Sequence, residues 1–347
     1  MVHQQIVKKM FKIKYMSAVL LGLFLAVGSD YNADAAQLMR CSHQLPPGSH
    51  IAKVIDQWAT EIETLTDGKL DVQINGANSL VLAPRNAAAV RAGEIECAFS
   101  MNSQWAESLP LMDVTLEPFA LRNVEILKRW DGSPPAELLE REIQKTGLTN
   151  LVWLFTTWRT AITSNDQFLI KPDDFKGLRI QGLGPHSNAA FAALSAMPVD
   201  MADMAAVEAL REGKLDAGLT NLSSALSSRY YTAQNHVTIL PLFAVYYNGY
   251  INTEWFAALP LHYQEAIREA SRKAALWAIE ASEISAAAAP GLLREEGMKI
   301  HVATEAEIEA LQNIMRPAFN RAFLGQTGEN GRRLLEFMDK YVTEAMP

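Results

Sequence analysis

Cysteine and histidine are scarce in this chain, and neither forms a recognisable motif. The 347 residues include 2 cysteines and 7 histidines. Without a C-x-x-C motif, thiol redox chemistry is not indicated. His43 and His50 are seven residues apart, lack a third ligand at a zinc spacing, and belong to no H-E-x-x-H motif. We therefore expect no metal site.

The sequence also lacks the motifs of common enzyme classes. It contains no G-x-S-x-G nucleophile motif and no phosphate-binding loop. Gly182-Leu183-Gly184 follows a predicted strand, but Pro185 replaces a needed backbone donor and the third glycine of the dinucleotide fingerprint is missing. We predict no catalytic residues and no cofactor.

Long apolar runs are absent apart from one near the N-terminus. Four lysines precede an apolar run over 16–27, and Ala33-Asp34-Ala35 follows it. A membrane span needs about 20 apolar residues, so this pattern predicts a secretory signal peptide over 1–35, cleaved near Ala35. An uncleaved membrane anchor is the alternative.

Positive charge is in deficit. The formal net charge is −8, and because residues 1–35 carry a net positive charge of two, the rest of the chain is at about −10. This balance argues against binding to nucleic acid or anionic membranes. It leaves an anionic small ligand open, because one buried arginine can dominate a local site. With 49% hydrophobic and 20% charged residues, the composition is that of a globular protein long enough for two lobes.

Apolar periodicity predicts an alternation of strands and helices around residues 170–221. Short strands over 178–181 and 215–219 and an extended piece over 197–201 alternate with helices over 187–195 and 204–212. Strands separated by helices pair in parallel, and ligands of such sheets bind beyond the carboxyl ends of the strands. Here those ends are Gln181, Thr220 and Asn221.

The same stretch carries three motifs in a specific order. They are D-x-x-G-L-R-I, then A-A-L-S-A-M-P-V-D-M, then V-E-A-L-R-E-G-K-L-D-A-G. This order resembles the periplasmic solute-binding proteins of tripartite ATP-independent periplasmic (TRAP) transporters, and the resemblance covers nearly all of the chain after the signal peptide. It implies a periplasmic receptor that binds a small organic solute and delivers it to a TRAP membrane permease. A monomer is expected.

The resemblance further implies an α/β, two-lobed periplasmic binding protein fold with a long helix spanning both lobes. We expect that helix over 262–289, ended by Pro290-Gly291. One lobe would comprise residues 37–157 and 252–288, and the other residues 158–251 and 289–347. The first crossing between lobes would fall near Trp158.

The solute-binding residues depart from the family pattern. The family's G-L-K-I-R signature ends in an arginine that pairs with the ligand's carboxylate, and this chain has Gln181 there. Arg159 resembles a second arginine used on the same carboxylate, with a salt bridge to a cleft-side acid such as Glu117 as its alternative role. The other predicted ligand-binding residues lie at strand ends or crossings: Met101, Asn102, Trp158, Thr220, Asn221, Phe243, Tyr246 and Asn248.

The family's function leads to one hypothesis, and the fold leaves a second. The first is an extracytoplasmic receptor for a small organic acid or zwitterion with an apolar or aromatic body, with a neutral solute still open. The second is an exported enzyme or sensor partner built on the same fold, because fold alone does not determine function. Recovering a candidate solute unchanged would separate them.

The two cysteines, Cys41 and Cys97, each lie in a predicted strand of the exported part. An oxidising compartment would permit a disulfide. We expect them on adjacent strands and unbonded, because adjacent parallel strands seldom reach disulfide geometry.

Overall fold

A computed structural model of the chain describes residues 36–201 and 203–345. The predicted signal peptide lies outside these residues. The strands are β1 Gln37–His43, β2 Leu70–Asn75, β3 Cys97–Met101, β4 Leu148–Thr157, β5 Thr160–Ser164, β6 Arg179–Gly182, β7 Met197–Asp200, β8 Gly218–Asn221, β9 His236–Leu240, β10 Val245–Asn252 and β11 Lys299–Val302. The helices are α1 His50–Leu65, α2 Asn86–Arg91, α3 Val124–Leu127, α4 Pro134–Gln144, α5 Pro185–Ala192, α6 Asp203–Arg211, α7 Leu222–Ser227, α8 Thr253–Ala258, α9 Leu261–Glu295 and α10 Glu305–Ala345.

The first sheet has five strands in the order β2-β1-β3-β10-β4. β1 and β3 run parallel, whereas β10 runs antiparallel to both β3 and β4. The helix α1 covers one face through a buried stripe that includes Trp58, and its first turn is capped by the Ser49 side chain, which accepts a hydrogen bond from the Ala52 amide. This face of the sheet is thereby sealed from solvent.

The second sheet has the order β11-β9-β5-β8, and β6 and β7 form a parallel pair beside it. An isolated parallel bridge between Ile180 and Ala217 links β6 to the segment that leads into β8. The parallel pairing predicted for residues 170–221 is thus present over β6, β7 and this bridge. β8 itself pairs antiparallel with β5.

Two short links join the sheets. Trp158 and Arg159 connect β4 of the first sheet to β5 of the second, which is where the sequence predicts the first crossing. Residues 241–244 connect β9 to β10. Because β10 pairs in the first sheet, the chain returns to that sheet before Val245. The lobe boundary expected at residue 251 therefore does not coincide with the change of sheet.

The long helix α9 contains 35 residues and is about 52 Å long at 1.5 Å per residue. It packs against α1 and β4 on the first sheet and against α7 and β11 on the second. The expected end at Pro290 is wrong, because the helix continues to Glu295. Proline removes one helical hydrogen bond, and burial of Ala289 and Leu293 in the apolar cluster beneath the helix offsets that loss.

Cys41 and Cys97 form a disulfide, so the expectation of free thiols is wrong. Their predicted adjacency is correct, since the two residues are register partners on β1 and β3. The Cα atoms are 4.5 Å apart, which is inside the range that a disulfide can bridge. Both residues are fully buried.

The last helix, α10, kinks at Gly328, where φ is 59°. It packs on α5 and on the 3₁₀ segment Pro110–Leu116, so it contacts elements beside both sheets. In the part of the chain that the structure describes, no helix is long and apolar enough to cross a membrane.

Candidate functional site

Gln181, on β6, is buried and all its hydrogen-bonding groups are engaged within the protein. Its Nε2 donates to the Met201 carbonyl and to Asp203 Oδ1, each at 3.1 Å. Its Oε1 accepts from the Leu219 amide at 3.1 Å and from the Tyr230 hydroxyl at 2.7 Å. A primary amide offers two donors and two acceptor positions. Gln181 therefore has no free group for a solute.

Asp203, the first residue of α6, is the centre of this network. Its Oδ1 accepts from Gln181 at 3.1 Å, and its Oδ2 accepts from the Thr220 hydroxyl at 3.0 Å. The single proton of the Tyr230 hydroxyl is shared between Asp203 Oδ1 at 3.1 Å and Gln181 Oε1 at 2.7 Å. Burial, with the Asp203 charge as a second cause, raises the pKa of Tyr230 far above its usual value. Gln181 and Thr220, which were both predicted to bind the solute, are thus held near each other by their hydrogen bonds to the Asp203 carboxylate.

Arg159 pairs with Glu283 of α9, with 3.4 Å between Nη2 and Oε2. Trp158 donates its indole N–H to the other oxygen of Glu283 at 3.1 Å, and the Arg159 guanidinium lies 4.5 Å from the centre of the Trp158 ring. Both charged side chains are 31% exposed. The alternative role predicted for Arg159, a salt bridge, is therefore present, but its partner is Glu283 and not Glu117, which is buried and pairs with Arg316 at 2.7 Å.

Tyr247, on β10, is buried in the apolar cluster that α1 covers. Its hydroxyl accepts from Gln44 Nε2 at 2.9 Å, and Gln104 Nε2 donates to Gln44 Oε1. Burial raises the pKa of Tyr247 to about 12, and the Asp203 charge contributes to the rise.

Two predicted residues lie at the end of β3. Met101 is the register partner of Tyr247 and is half-buried. Asn102 is buried, donates to the Thr115 hydroxyl at 3.4 Å, and has no partner for its Oδ1. A buried unpaired acceptor is uncommon and costs stability. Asn102 is therefore the residue at this strand end with an unused polar atom.

Three other predicted residues lie in the core. Tyr246 stacks on Trp130 with ring centres 5.3 Å apart, and Asn248 Oδ1 accepts from the Trp105 indole at 2.9 Å. Phe243 packs edge-on against Phe191. All three predicted residues are at most 1% exposed. Successive residues of a strand face opposite sides, so Tyr247 lies on the other face of the sheet, in the apolar cluster that α1 covers.

Asn221 has a structural role in this arrangement. It caps α7, accepting from the Ser224 amide at 2.9 Å and donating to the Ser224 hydroxyl at 3.1 Å. It is half-buried and pairs in register with Thr160, the residue after Arg159. Asn221 and Arg159 are therefore neighbours at the crossing.

Sequence reasoning missed Asp203 and Glu283 as members of the candidate site. Asp203 is one of two aspartates at the ends of the turn between β7 and α6, and Glu283 is one of many charged residues on a long helix, so neither has a local signal.

A buried hydrogen-bonded pair lies outside this group. His186 of α5 and Asp113 of the segment 110–116 are 2.7 Å apart and at most 2% exposed. Burial raises the pKa of Asp113, and the His186 hydrogen bond opposes that rise.

Within residues 36–201 and 203–345, no cluster of three or more histidine, cysteine or acidic side chains could hold a metal ion.

Residues 41–326 match the family model described as bacterial extracellular solute-binding protein, family 7. The chain belongs to this family. Among curated members, it is 28% identical to a solute-binding protein of Verminephrobacter eiseniae over 70% of this chain and 72% of that one. It is 23% identical to a solute-binding protein of Albidiferax ferrireducens over 66% of each chain.

Solved structures of family members share the fold. A TRAP periplasmic solute-binding protein from Desulfovibrio salexigens, with bound orotic acid, superposes with a TM-score of 0.83 at 18% identity. The match covers 89% of this chain and 99% of that one. At this identity the likeness establishes the two-lobed architecture with its long helix. The family and the fold are those of solute-binding proteins rather than enzymes.

Proposed function

We propose that the protein is a periplasmic receptor that captures a small organic solute at the crossing between its two sheets and delivers it unchanged to a TRAP-type membrane permease. The observation that carries this proposal is the position of Arg159. It lies on the two-residue link between β4 and β5, and it is partly exposed. A solute bound there contacts the part of the chain about which the sheets would close.

Arg159 can accept a solute carboxylate because its present partner is held weakly. The guanidinium and Glu283 are 3.4 Å apart and both partly exposed, and such pairs contribute about 0.2 to 1 kcal/mol. A solute carboxylate that binds both guanidinium nitrogens forms a stronger, bidentate contact. The orotic acid bound by the Desulfovibrio protein carries such a group.

The lobes we propose follow the sheets. The first would be built on the sheet containing β10 and the second on β5, β8, β9 and β11, with α9 bracing both. Solute binding would shift an equilibrium between open and closed arrangements, and that shift requires no chemical step.

The test is to recover the bound solute. The native protein is purified, denatured, and the released small molecules are weighed by mass spectrometry; the same molecules are then incubated with fresh protein. We expect one organic solute, returned unchanged. At 100 times its Kd, it should stabilise the protein by about 2.7 kcal/mol. Turnover of the solute would contradict the receptor and favour the exported enzyme.

Arg159→Ala and Arg122→Ala form a matched pair for the binding assay. Arg122 pairs with Glu305 on the exposed surface. Losing one partner of a desolvated charge pair costs about 2 to 5 kcal/mol, so Arg159→Ala should weaken binding of a carboxylate solute about thirtyfold or more. Arg122→Ala should leave it unchanged. If Arg159→Ala binds as tightly as wild type, the solute is not held by a carboxylate there.

A further inference from the structure

Asp203 is a carboxylate whose hydrogen-bond donors are all neutral. They are the Gln181 amide and the Tyr230 and Thr220 hydroxyls, at 3.0 to 3.1 Å. Among residues 36–201 and 203–345, no arginine, lysine or histidine forms a salt bridge with it, whereas Asp216 pairs with Arg179 at 2.6 Å. The negative charge is held in place without being neutralised.

This carboxylate lies where a solute would bind. Gln181 is near the carboxyl end of β6 and Thr220 near that of β8, and ligands of α/β sheets bind beyond such ends. Asp203 is only partly buried. An anion placed against Asp203 would be repelled, because no cationic side chain among the described residues pairs with that carboxylate.

Closure of the sheets would remove water from Asp203. Burying a carboxylate that lacks a cationic partner is costly, whereas a charge-assisted hydrogen bond to a cation recovers much of that cost. A solute that carries a cationic group therefore favours the closed arrangement. A solute without one opposes it.

Arg159 lies near the strand position that supports Asp203. In the β5–β8 pair, Ala161 is opposite Thr220, and Arg159 lies two positions before Ala161. Two strand positions span about 7 Å. The Thr220 hydroxyl donates to Asp203, so Arg159 and the residue that holds the Asp203 carboxylate are at the same end of the second sheet.

We propose that Asp203 binds a cationic group of the solute, so that the receptor selects an amine-bearing zwitterion whose carboxylate contacts Arg159. This inference rests on the proposed receptor function and specifies its solute class. Gln181, Thr220 and Tyr230 act as positioning residues that hold the Asp203 carboxylate toward the solute.

The test uses two series of probes that differ only in their charged groups. One is phenylalanine, 3-phenylpropionate and phenethylamine; the other is leucine, 4-methylpentanoate and 3-methylbutylamine. Affinities are measured by calorimetry at pH 7 and millimolar probe. In at least one series, the amino acid should bind wild type about tenfold to a hundredfold more tightly than the acid without the amine, as expected for a charge-assisted hydrogen bond.

Asp203→Asn is the decisive variant and Asp200→Asn its control. Asparagine keeps an acceptor oxygen for Gln181 and Tyr230, so the network and the fold should persist, which a thermal melt checks. The preference for the amine should disappear in Asp203→Asn. It should persist in Asp200→Asn, because the Asp200 carboxylate on β7 instead accepts from the Gly184 amide at 2.9 Å.

Three results would overturn the inference. They are equal affinities for the amino acid and the acid in both series, a preference that survives in Asp203→Asn, or failure of every amine-bearing probe to bind. The solute recovered from native protein separates the two proposals. A recovered acid that lacks an amine leaves the receptor standing and refutes the zwitterion, whereas turnover refutes the receptor itself.

Discussion

Reducing the disulfide between Cys41 and Cys97 should lower the free energy of unfolding substantially. The two residues are 56 positions apart. In the chain-entropy description, opening a loop of this length releases about 4 kcal/mol of constraint on the unfolded chain at 25 °C. For a folded part of roughly 310 residues, with an unfolding entropy of about 2.1 cal/mol/K per residue, the melting temperature should fall by about 6 °C.

The assay compares oxidised and reduced wild type in urea, followed by the fluorescence of the 7 tryptophans. Both cysteines are inaccessible in the folded protein, so reductant is applied to unfolded chains before refolding. This comparison leaves both sulfur atoms in the core and isolates the cross-link from packing. The variant Cys41→Ala/Cys97→Ala is the control and should not respond to reductant. Identical midpoints for oxidised and reduced wild type would refute the reasoning.

Glu283→Gln should release Arg159 from its salt bridge while keeping an oxygen that accepts from the Trp158 indole. The recovered carboxylate solute should then bind about 1.4-fold to fivefold more tightly in calorimetry, and a weaker affinity would contradict competition between Glu283 and the solute. Gln181→Ala should destabilise the solute-free protein by about 1 to 3 kcal/mol in urea, because buried partners lose their hydrogen bonds; an unchanged midpoint would show that Gln181 has no structural role. The hydrogen bond from Arg179 lowers the pKa of Asp216. This hydrogen bond therefore stabilises the protein above the unfolded pKa of about 3.9, and the stabilisation is lost as pH falls below it. In Asp216→Asn, the free energy of unfolding should fall less steeply with decreasing pH on the acid side. An unchanged slope would count against this pair.

Local patterns predicted the elements well. The strand predicted over 178–181 is found at Arg179–Gly182 and the helix predicted over 204–212 at Asp203–Arg211, and the crossing near Trp158 is where the chain changes sheets. Alternation and capping depend on neighbours in sequence, so one sequence suffices to read them. Pro290 shows the limit, because its tolerance within α9 depends on apolar residues from a distant sheet.

The site was harder to predict than the fold. Gln181 was correctly assigned to the end of a strand, but its partners come from residues up to 49 positions away. The contact of Arg159 with Glu283 joins residues 124 positions apart. Such pairings depend on how helices and sheets assemble, and periodicity carries no information on them. The disulfide was missed for a related reason, since strand order alone does not give the register that puts Cys41 opposite Cys97.

The insertion of β10 between β3 and β4 has a consequence for biosynthesis. Its neighbours in the sheet are complete by residue 157, yet the strand that joins them ends at Asn252. A nascent chain shorter than 252 residues cannot close the first sheet, and pairings this distant in sequence form slowly. The order of strands thus delays folding until most of the polypeptide has left the ribosome.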